Sequence, residues 1–169
     1  MVKLIILRGP AGTGKSTVAK LLQKKMGKKT ALIEMDNIYY KVLQDDINHK
    51  MVLQSVVNMA DIFLKNDYNV IFEGVFTVPY NKQKKTLEHN SLFKLAKKYN
   101  TKLNIFFLNV SLDIAIHRDE SRHGFKKLRK DYVSKLHTKT CSRRHDCEIE
   151  INTNNLSPLQ VVNRITKLI

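Results

Sequence analysis

The chain has 169 residues and a mass of 19.6 kDa, with 43% apolar and 27% charged residues. That is the size of one globular domain, spanning residues 1–169, too apolar for intrinsic disorder and with no run near the roughly 20 apolar residues that a bilayer-spanning helix needs. Thirty Lys and Arg against fifteen Asp and Glu give a net charge of +15, and with only six Glu the excess points to a polyanionic partner or substrate, base composition being the other explanation.

The first predicted strand, Val2–Arg8, is too short for a signal-peptide core and runs straight into a glycine loop. With only Cys141 and Cys147, no disulfide framework is expected, which suits a reducing cytoplasm. The loop, Gly9-Pro10-Ala11-Gly12-Thr13-Gly14-Lys15-Ser16-Thr17, fits G-x-x-x-x-G-K-[ST] between a strand and a helix. Glycines let successive N–H groups turn inward onto phosphate oxygens, and the following helix adds the positive end of its dipole. Gly9, Ala11, Gly12, Thr13, Gly14, Lys15, Ser16 and Thr17 are therefore the predicted nucleotide-binding residues. Lys15 reaches the β- and γ-phosphates, and the Ser16 hydroxyl is the predicted Mg²⁺ ligand. The helix Lys15–Met26 carries Val18, Leu21, Leu22 and Met26 on one stripe.

The second strand, Thr30–Met35, ends in Asp36, which puts a carboxylate at the edge beside the phosphate loop. A kinase needs one there to take or orient the acceptor's hydroxyl proton. Tyr39 and Tyr40 follow and could stack on a substrate ring. After the helix Ile47–Lys65 comes a third strand, Asn69–Phe72, ending in Glu73-Gly74. Glu73 faces the same crevice and is expected to contact substrate or a metal-bound water.

The helix Ser91–Tyr99 leads to a fourth strand, Lys102–Asn109, and then to Leu112–Arg122. Arg118 and Arg122 share a face of that helix at i, i+4. With the basic stretch His123-Gly124-Phe125-Lys126-Lys127-Leu128-Arg129-Lys130 they form a predicted lid, about residues 118–139, whose arginines stabilise transferred charge. The fifth strand, Glu148–Asn152, leads into a turn whose Thr153 and Asn154 are expected to wall the nucleotide base. Ser157-Pro158 caps the last helix, Leu159–Leu168. Strands alternating with helices imply a doubly wound three-layer α/β domain.

Two absences narrow the class. Asn81-Lys82-Gln83-Lys84 lacks the acid of a base-reading N-K-x-D, which argues against a GTPase, and the fourth strand ends in Asn109 rather than the acid of an ATP-driven machine. His137, Cys141, His145 and Cys147 match no standard zinc spacing. His49, His89, His117 and His123 read as surface or packing residues.

Gly9–Thr17, Asp36, Glu73-Gly74, Arg118 with Arg122, and the Thr153–Pro158 turn span nearly the whole chain in an order that resembles the small P-loop kinases. These are the kinases grouped with zeta toxins, chloramphenicol phosphotransferase, adenylylsulfate kinase, gluconate kinase and polynucleotide kinases. The resemblance implies a five-stranded parallel sheet of order 2-3-1-4-5, ATP–Mg²⁺ as donor, Asp36 as acceptor-side base, lid arginines and a base-contacting loop near Thr153–Asn154. The arginine that adenylylsulfate and polynucleotide kinases carry shortly after this acid is replaced here by Tyr39 and Tyr40.

The function expected is an ATP- and Mg²⁺-dependent kinase with catalytic Lys15, Asp36, Arg118 and Arg122, acting on an alcohol hydroxyl of a nucleoside, sugar or antibiotic. Two alternatives stand beside it: a 5′-hydroxyl polynucleotide kinase, favoured by the charge, and a nucleotide-binding regulatory protein without turnover.

Overall fold

Continuous apolar runs bury both faces of a strand, so they pair as parallel neighbours under helices rather than at a solvated surface. The computed structural model describes residues 1–43, 48–75, 87–122, 124 and 127–169, apart from the side chains of residues 49 and 87–90. Its strands are β1 (Leu4–Arg8), β2 (Thr30–Glu34), β3 (Asn69–Gly74), β4 (Leu103–Asn109) and β5 (Ile149–Asn152). They form one all-parallel sheet in the order β2-β3-β1-β4-β5, the order that the resemblance implies. The helices are α1 (Lys15–Met26), α2 (Met35–Asn37), α3 (His49–Lys65), α4 (Leu87–Lys98), α5 (Leu112–Glu120), α6 (Lys130–Cys141) and α7 (Pro158–Thr166), with a π-helical turn, Ile38–Leu43, continuing α2.

Strand alternation sorts the core into two layers. Leu4, Ile6, Val70, Phe72 and Ile105 pack with Val52, Val56 and Ala60 of α3 and Leu92 of α4. Ile5, Leu7, Ile71, Phe106 and Leu108 point the other way, onto Val18 and Leu22 of α1 and Val161, Val162 and Ile165 of α7. Each such side chain, fully buried, is worth about 1.5–3 kcal/mol of transfer free energy. A smaller cluster of Val110, Ala115, Val133 and Leu128 seats α6 on α5. Among the described residues no helix is long and apolar enough to cross a membrane.

Most differences from the sequence reading are at element ends. β3 runs on through Glu73 and Gly74, because both stay paired with β1. β2 stops at Glu34, so Asp36 lies in the helical turn after the strand and not at its end. The turn is closed by Asn37, whose side-chain amide donates to the Glu34 carboxylate at 2.8 Å. α3 starts behind Asn48, whose side chain accepts from the Met51 N–H at 3.0 Å, and residue 47 lies outside the described residues. Ser157 and Gln160 form a reciprocal capping box with Pro158 in the first turn, which is why α7 begins there.

Candidate active site

β1 delivers the chain into the phosphate loop at the carboxyl edge of the sheet, where ligands of open α/β folds bind. Two glycines let the loop lie against its neighbours. A Cβ on Gly9 would land on the Leu108 carbonyl, and one on Gly12 would stand 2.6 Å from the Ala115 carbonyl oxygen of α5, at a φ of +80°. The loop is thus pressed onto β4 and α5. Gly14, in the left-handed region, opens α1, and Ser16 sits half-buried in its first turn while Thr17 is exposed. Thr13 is buried, and its hydroxyl donates to the Pro10 carbonyl at 3.0 Å.

Lys15 is buried, and its ammonium donates to the same Pro10 carbonyl at 2.8 Å. Burial holds its pKa below the usual lysine value; Glu73 and then Asp36 pull it back up, and Arg122 and Arg8 push it further down. Four charged side chains from four places in the chain therefore act electrostatically on this ammonium: Arg8 ending β1, Asp36 after β2, Glu73 in β3 and Arg122 after α5. Glu73 is 2% exposed, so its carboxylate belongs to the crevice and not to the surface.

The oxygen donors here suit a hard cation. Among the described residues no three His, Cys, Asp or Glu side chains gather as a metal cage. One Ser16 hydroxyl with the nearby carboxylates of Glu73 and Asp36 instead fits Mg²⁺, which keeps most of its waters and shares its remaining positions with phosphate oxygens.

The two predicted lid arginines part company. Arg118 turns back from α5 to the loop: Nη1 donates to the Gly12 carbonyl at 3.3 Å, and Nη2 to the Thr153 carbonyl at 3.0 Å. It is a clasp between the phosphate loop and the β5–α7 turn, which differs from the lid role expected of it. Arg122 acts electrostatically on Lys15 and donates through Nη1 to the Asp119 carboxylate at 3.1 Å. His123 and residues 125–126 of the basic stretch lie outside the described residues.

Thr153 and Asn154 are also committed to protein partners. Thr153 is 2% exposed, with its hydroxyl donating to the Asn109 carbonyl at 2.9 Å, and Asn154 Oδ1 accepts from the Ser111 N–H at 2.8 Å. Behind Gly14 a cavity of about 220 Å³ is lined by Val18, Leu156, Pro158 and Val161, with Thr153 and Arg118 at the rim. Apolar walls with one cation at the rim suit a planar ring attached to a phosphate.

On the acceptor side, Tyr39 packs into the core while Tyr40 is 51% exposed. Partial burial, then Asp36 and Tyr132, raise the Tyr40 pKa, which places Tyr132 of α6 within electrostatic reach across the crevice. The four zinc candidates do not gather. His137 bonds the Val110 carbonyl at 2.7 Å next to Cys141, whereas His145 Nδ1 meets Cys147 Sγ at 3.0 Å. His117 is exposed, and the side chains of His49, His89 and His123 are outside the described residues.

Arg8, Glu148, Asp119 and Tyr132 were not legible as site residues. Arg8 carried one signal: a charge ending an apolar strand needs a buried counter-charge, which sequence cannot locate.

Residues 5–101, from β1 to just past α4, match the family model described as RNA helicase. The chain belongs to that family of P-loop domains. The match takes in Lys15, Asp36 and Glu73 and stops short of Arg118 and Arg122. Solved structures align over nearly the whole chain. A tunicamycin resistance protein of Deinococcus radiodurans is 18% identical with a TM-score of 0.68, covering 99% of this chain and 95% of its own. An APS kinase of Mycobacterium tuberculosis, solved with AMPPNP and APS, is 14% identical with a TM-score of 0.67, covering 99% and 96%. A gluconokinase of Sinorhizobium meliloti is 16% identical with a TM-score of 0.62, covering 98% and 93%. At these identities the likeness is one of fold.

Proposed function

We propose that the chain is an ATP- and Mg²⁺-dependent kinase that transfers the γ-phosphate to an alcohol hydroxyl of a small molecule. The observation that carries this reading is the pair of carboxylates, Asp36 in the turn after β2 and Glu73 in the adjacent β3, that act on the Lys15 ammonium. A motor or switch needs a single positioned water there, whereas a hydroxyl acceptor needs a base beside the γ-phosphate and a second polar wall. The alignments with an APS kinase and a gluconokinase support it, since both named activities phosphorylate alcohols.

The acceptor oxygen attacks the γ-phosphorus, the bond to the β–γ bridging oxygen breaks, and the hydroxyl proton passes to Asp36. ADP and a phosphate ester result. Lys15 and the loop amides hold the β- and γ-phosphates, and Arg122 meets the negative charge that spreads over the transferring group. Ser16, with Glu73 beyond it, would hold the metal, which neutralises phosphate charge when bound. Arg118 keeps the loop and the base cavity together. Glu73 and the exposed ring of Tyr40 form the acceptor's walls.

A 5′-hydroxyl end of RNA or DNA is the second acceptor reading, favoured by the net charge of +15 and by the family's description. γ-Labelled ATP with Mg²⁺ tests both against a nucleoside, a hexose, a hydroxylated antibiotic and a 5′-hydroxyl oligonucleotide. Asp36→Asn is expected to cut transfer by roughly 10²–10⁴-fold with ATP binding intact, and Lys15→Ala to abolish both. Label on the oligonucleotide alone selects the second reading. ATP binding without transfer to any acceptor makes the chain a nucleotide-binding regulator and overturns both.

A further inference from the structure

Arg118 and Asp119 are neighbours on α5 and turn to different partners. Asp119 is 2% exposed, and both of its carboxylate oxygens are engaged. Oδ1 accepts from Arg122 Nη1 at 3.1 Å, and Oδ2 accepts from the Leu128 backbone N–H at 2.8 Å. The Arg122 N–H in turn donates to the Asp119 carbonyl at 3.0 Å. One buried carboxylate therefore holds both ends of the segment that joins α5 to α6. Its seat is firm, because Leu128 packs into the cluster of Val110, Ala115 and Val133.

A buried carboxylate is retained only when its charge is answered, and here the answering cation is Arg122, which also acts electrostatically on Lys15. A guanidinium on a flexible stem, left alone in a half-open crevice, samples many rotamers, and most of them point into water. Tied to Asp119, it is held within electrostatic reach of Lys15 before any phosphate arrives, which is the preorganisation that makes a charge effective in a transition state.

We propose that Asp119 is a positioning residue of this site, fixing Arg122 toward the transferring phosphoryl group. The inference rests on the phosphoryl-transfer reading and deepens it. Asp119 itself touches no phosphate, so its effect passes through Arg122.

The test compares binding of Mg²⁺–ADP with and without aluminium fluoride, a mimic of the transferring phosphoryl group, by calorimetry. Wild type, Asp119→Asn, Arg122→Ala and the double variant are measured, with thermal melts alongside. Asparagine keeps an acceptor for the Leu128 N–H and removes the charge that holds Arg122. Expected is a roughly tenfold to hundredfold loss of the fluoride complex in each single variant, with ADP alone within about threefold of wild type and the double variant no weaker than Arg122→Ala. Equal losses for ADP and the fluoride complex, or losses that add in the double variant, overturn the inference and make Asp119 a structural residue. A wild type that gains nothing from the fluoride overturns the phosphoryl-transfer reading and this inference with it. A gain that survives both single substitutions overturns only the inference.

Discussion

Arg8 and Glu148, 140 residues apart, meet in a two-point ion pair: one guanidinium nitrogen, Nη1, donates to both carboxylate oxygens, at 2.6 and 2.8 Å. Both side chains are sealed from solvent, at 2% and 0% exposure. The guanidinium also donates to the Arg143 carbonyl at 3.2 Å and lies over the Phe107 ring. Glu148 in turn accepts from the His145 N–H at 3.1 Å. The last residue of β1 thus anchors the loop before β5, one residue ahead of the phosphate loop.

Removing one partner of such a pair leaves a desolvated charge without its counter-charge. Glu148→Ala is expected to destabilise the fold by about 3–5 kcal/mol. The double replacement Arg8→Met with Glu148→Leu recovers most of that, because no charge is then buried. Urea denaturation of the three proteins checks this. A single variant as stable as wild type would show that the pair contributes nothing.

That pair also marks the limit of what the sequence could yield. The five strands and the loop were legible because each is a local pattern: apolar runs between glycines, and a lysine at a fixed offset. The strand order came with the resemblance, since periodicity alone does not say which strands are neighbours. Arg8–Glu148, Arg118–Thr153 and Arg122–Asp119 are side-chain choices made after folding. Arg118 and Arg122 share a helical face on paper. α5, however, ends at Glu120, so the second arginine leaves the helix and turns to the Asp119 carboxylate while the first stays on the loop. Asp36 was expected at the end of the second strand and lies in the helical turn after it, because the Glu34–Asn37 bond that closes that turn has no periodic signature.

Arg118 spans the Gly12 and Thr153 carbonyls, so its loss frees the phosphate loop from the β5–α7 turn. Arg118→Ala is expected to raise the Kd for ATP about tenfold through a faster off-rate, with a stability loss of about 1–2 kcal/mol from the stranded carbonyls. Thr153→Val removes the hydroxyl's contacts with Asn109, Thr13 and Arg118 but leaves the Thr153 carbonyl on Arg118, and is expected to do less. Stopped-flow release of a fluorescent ATP analogue separates this clasp role from a lid role. A lid arginine would leave nucleotide release unchanged and lower only phosphoryl transfer.

Gly12 and Gly27 share nearly the same φ, +80° and +79°, but have different surroundings. A Cβ on Gly12 meets the backbone of Ala115 at 2.6–2.7 Å, whereas one on Gly27 meets nothing within 4 Å. Gly27→Ala therefore meets no clash and pays only for a backbone, φ +79° with ψ −153°, that is essentially reserved for glycine, about 1–3 kcal/mol, and keeps full ATP affinity. Gly12→Ala adds displacement of the phosphate loop from α5 and is expected to lose nucleotide binding as well as stability. Parallel melts and ATP titrations of the two variants test the difference, and equal behaviour would mean that the loop does not lean on α5.

Lys15 sets stability against function, and pH separates the two. Burial lowers its pKa in the folded chain below the ordinary 10.5. Between that lowered value and 10.5 the unfolded chain holds a proton that the folded chain has released, so unfolding takes up a proton. Stability from this group therefore rises with pH across the window, and below it the strain of a buried ammonium is felt in full. ATP binding runs the opposite way, since the phosphates bind the charged form and affinity falls as the proton leaves. Lys15→Met removes the buried charge while keeping an unbranched side chain. The variant is expected to melt a few degrees higher than wild type at neutral pH, to lose that advantage as the pH rises, and to bind no ATP at any pH. Melting curves and ATP titrations from neutral to alkaline pH check both directions. A Met variant that melts lower throughout would mean that the bond from Lys15 to the Pro10 carbonyl outweighs the desolvation of its charge.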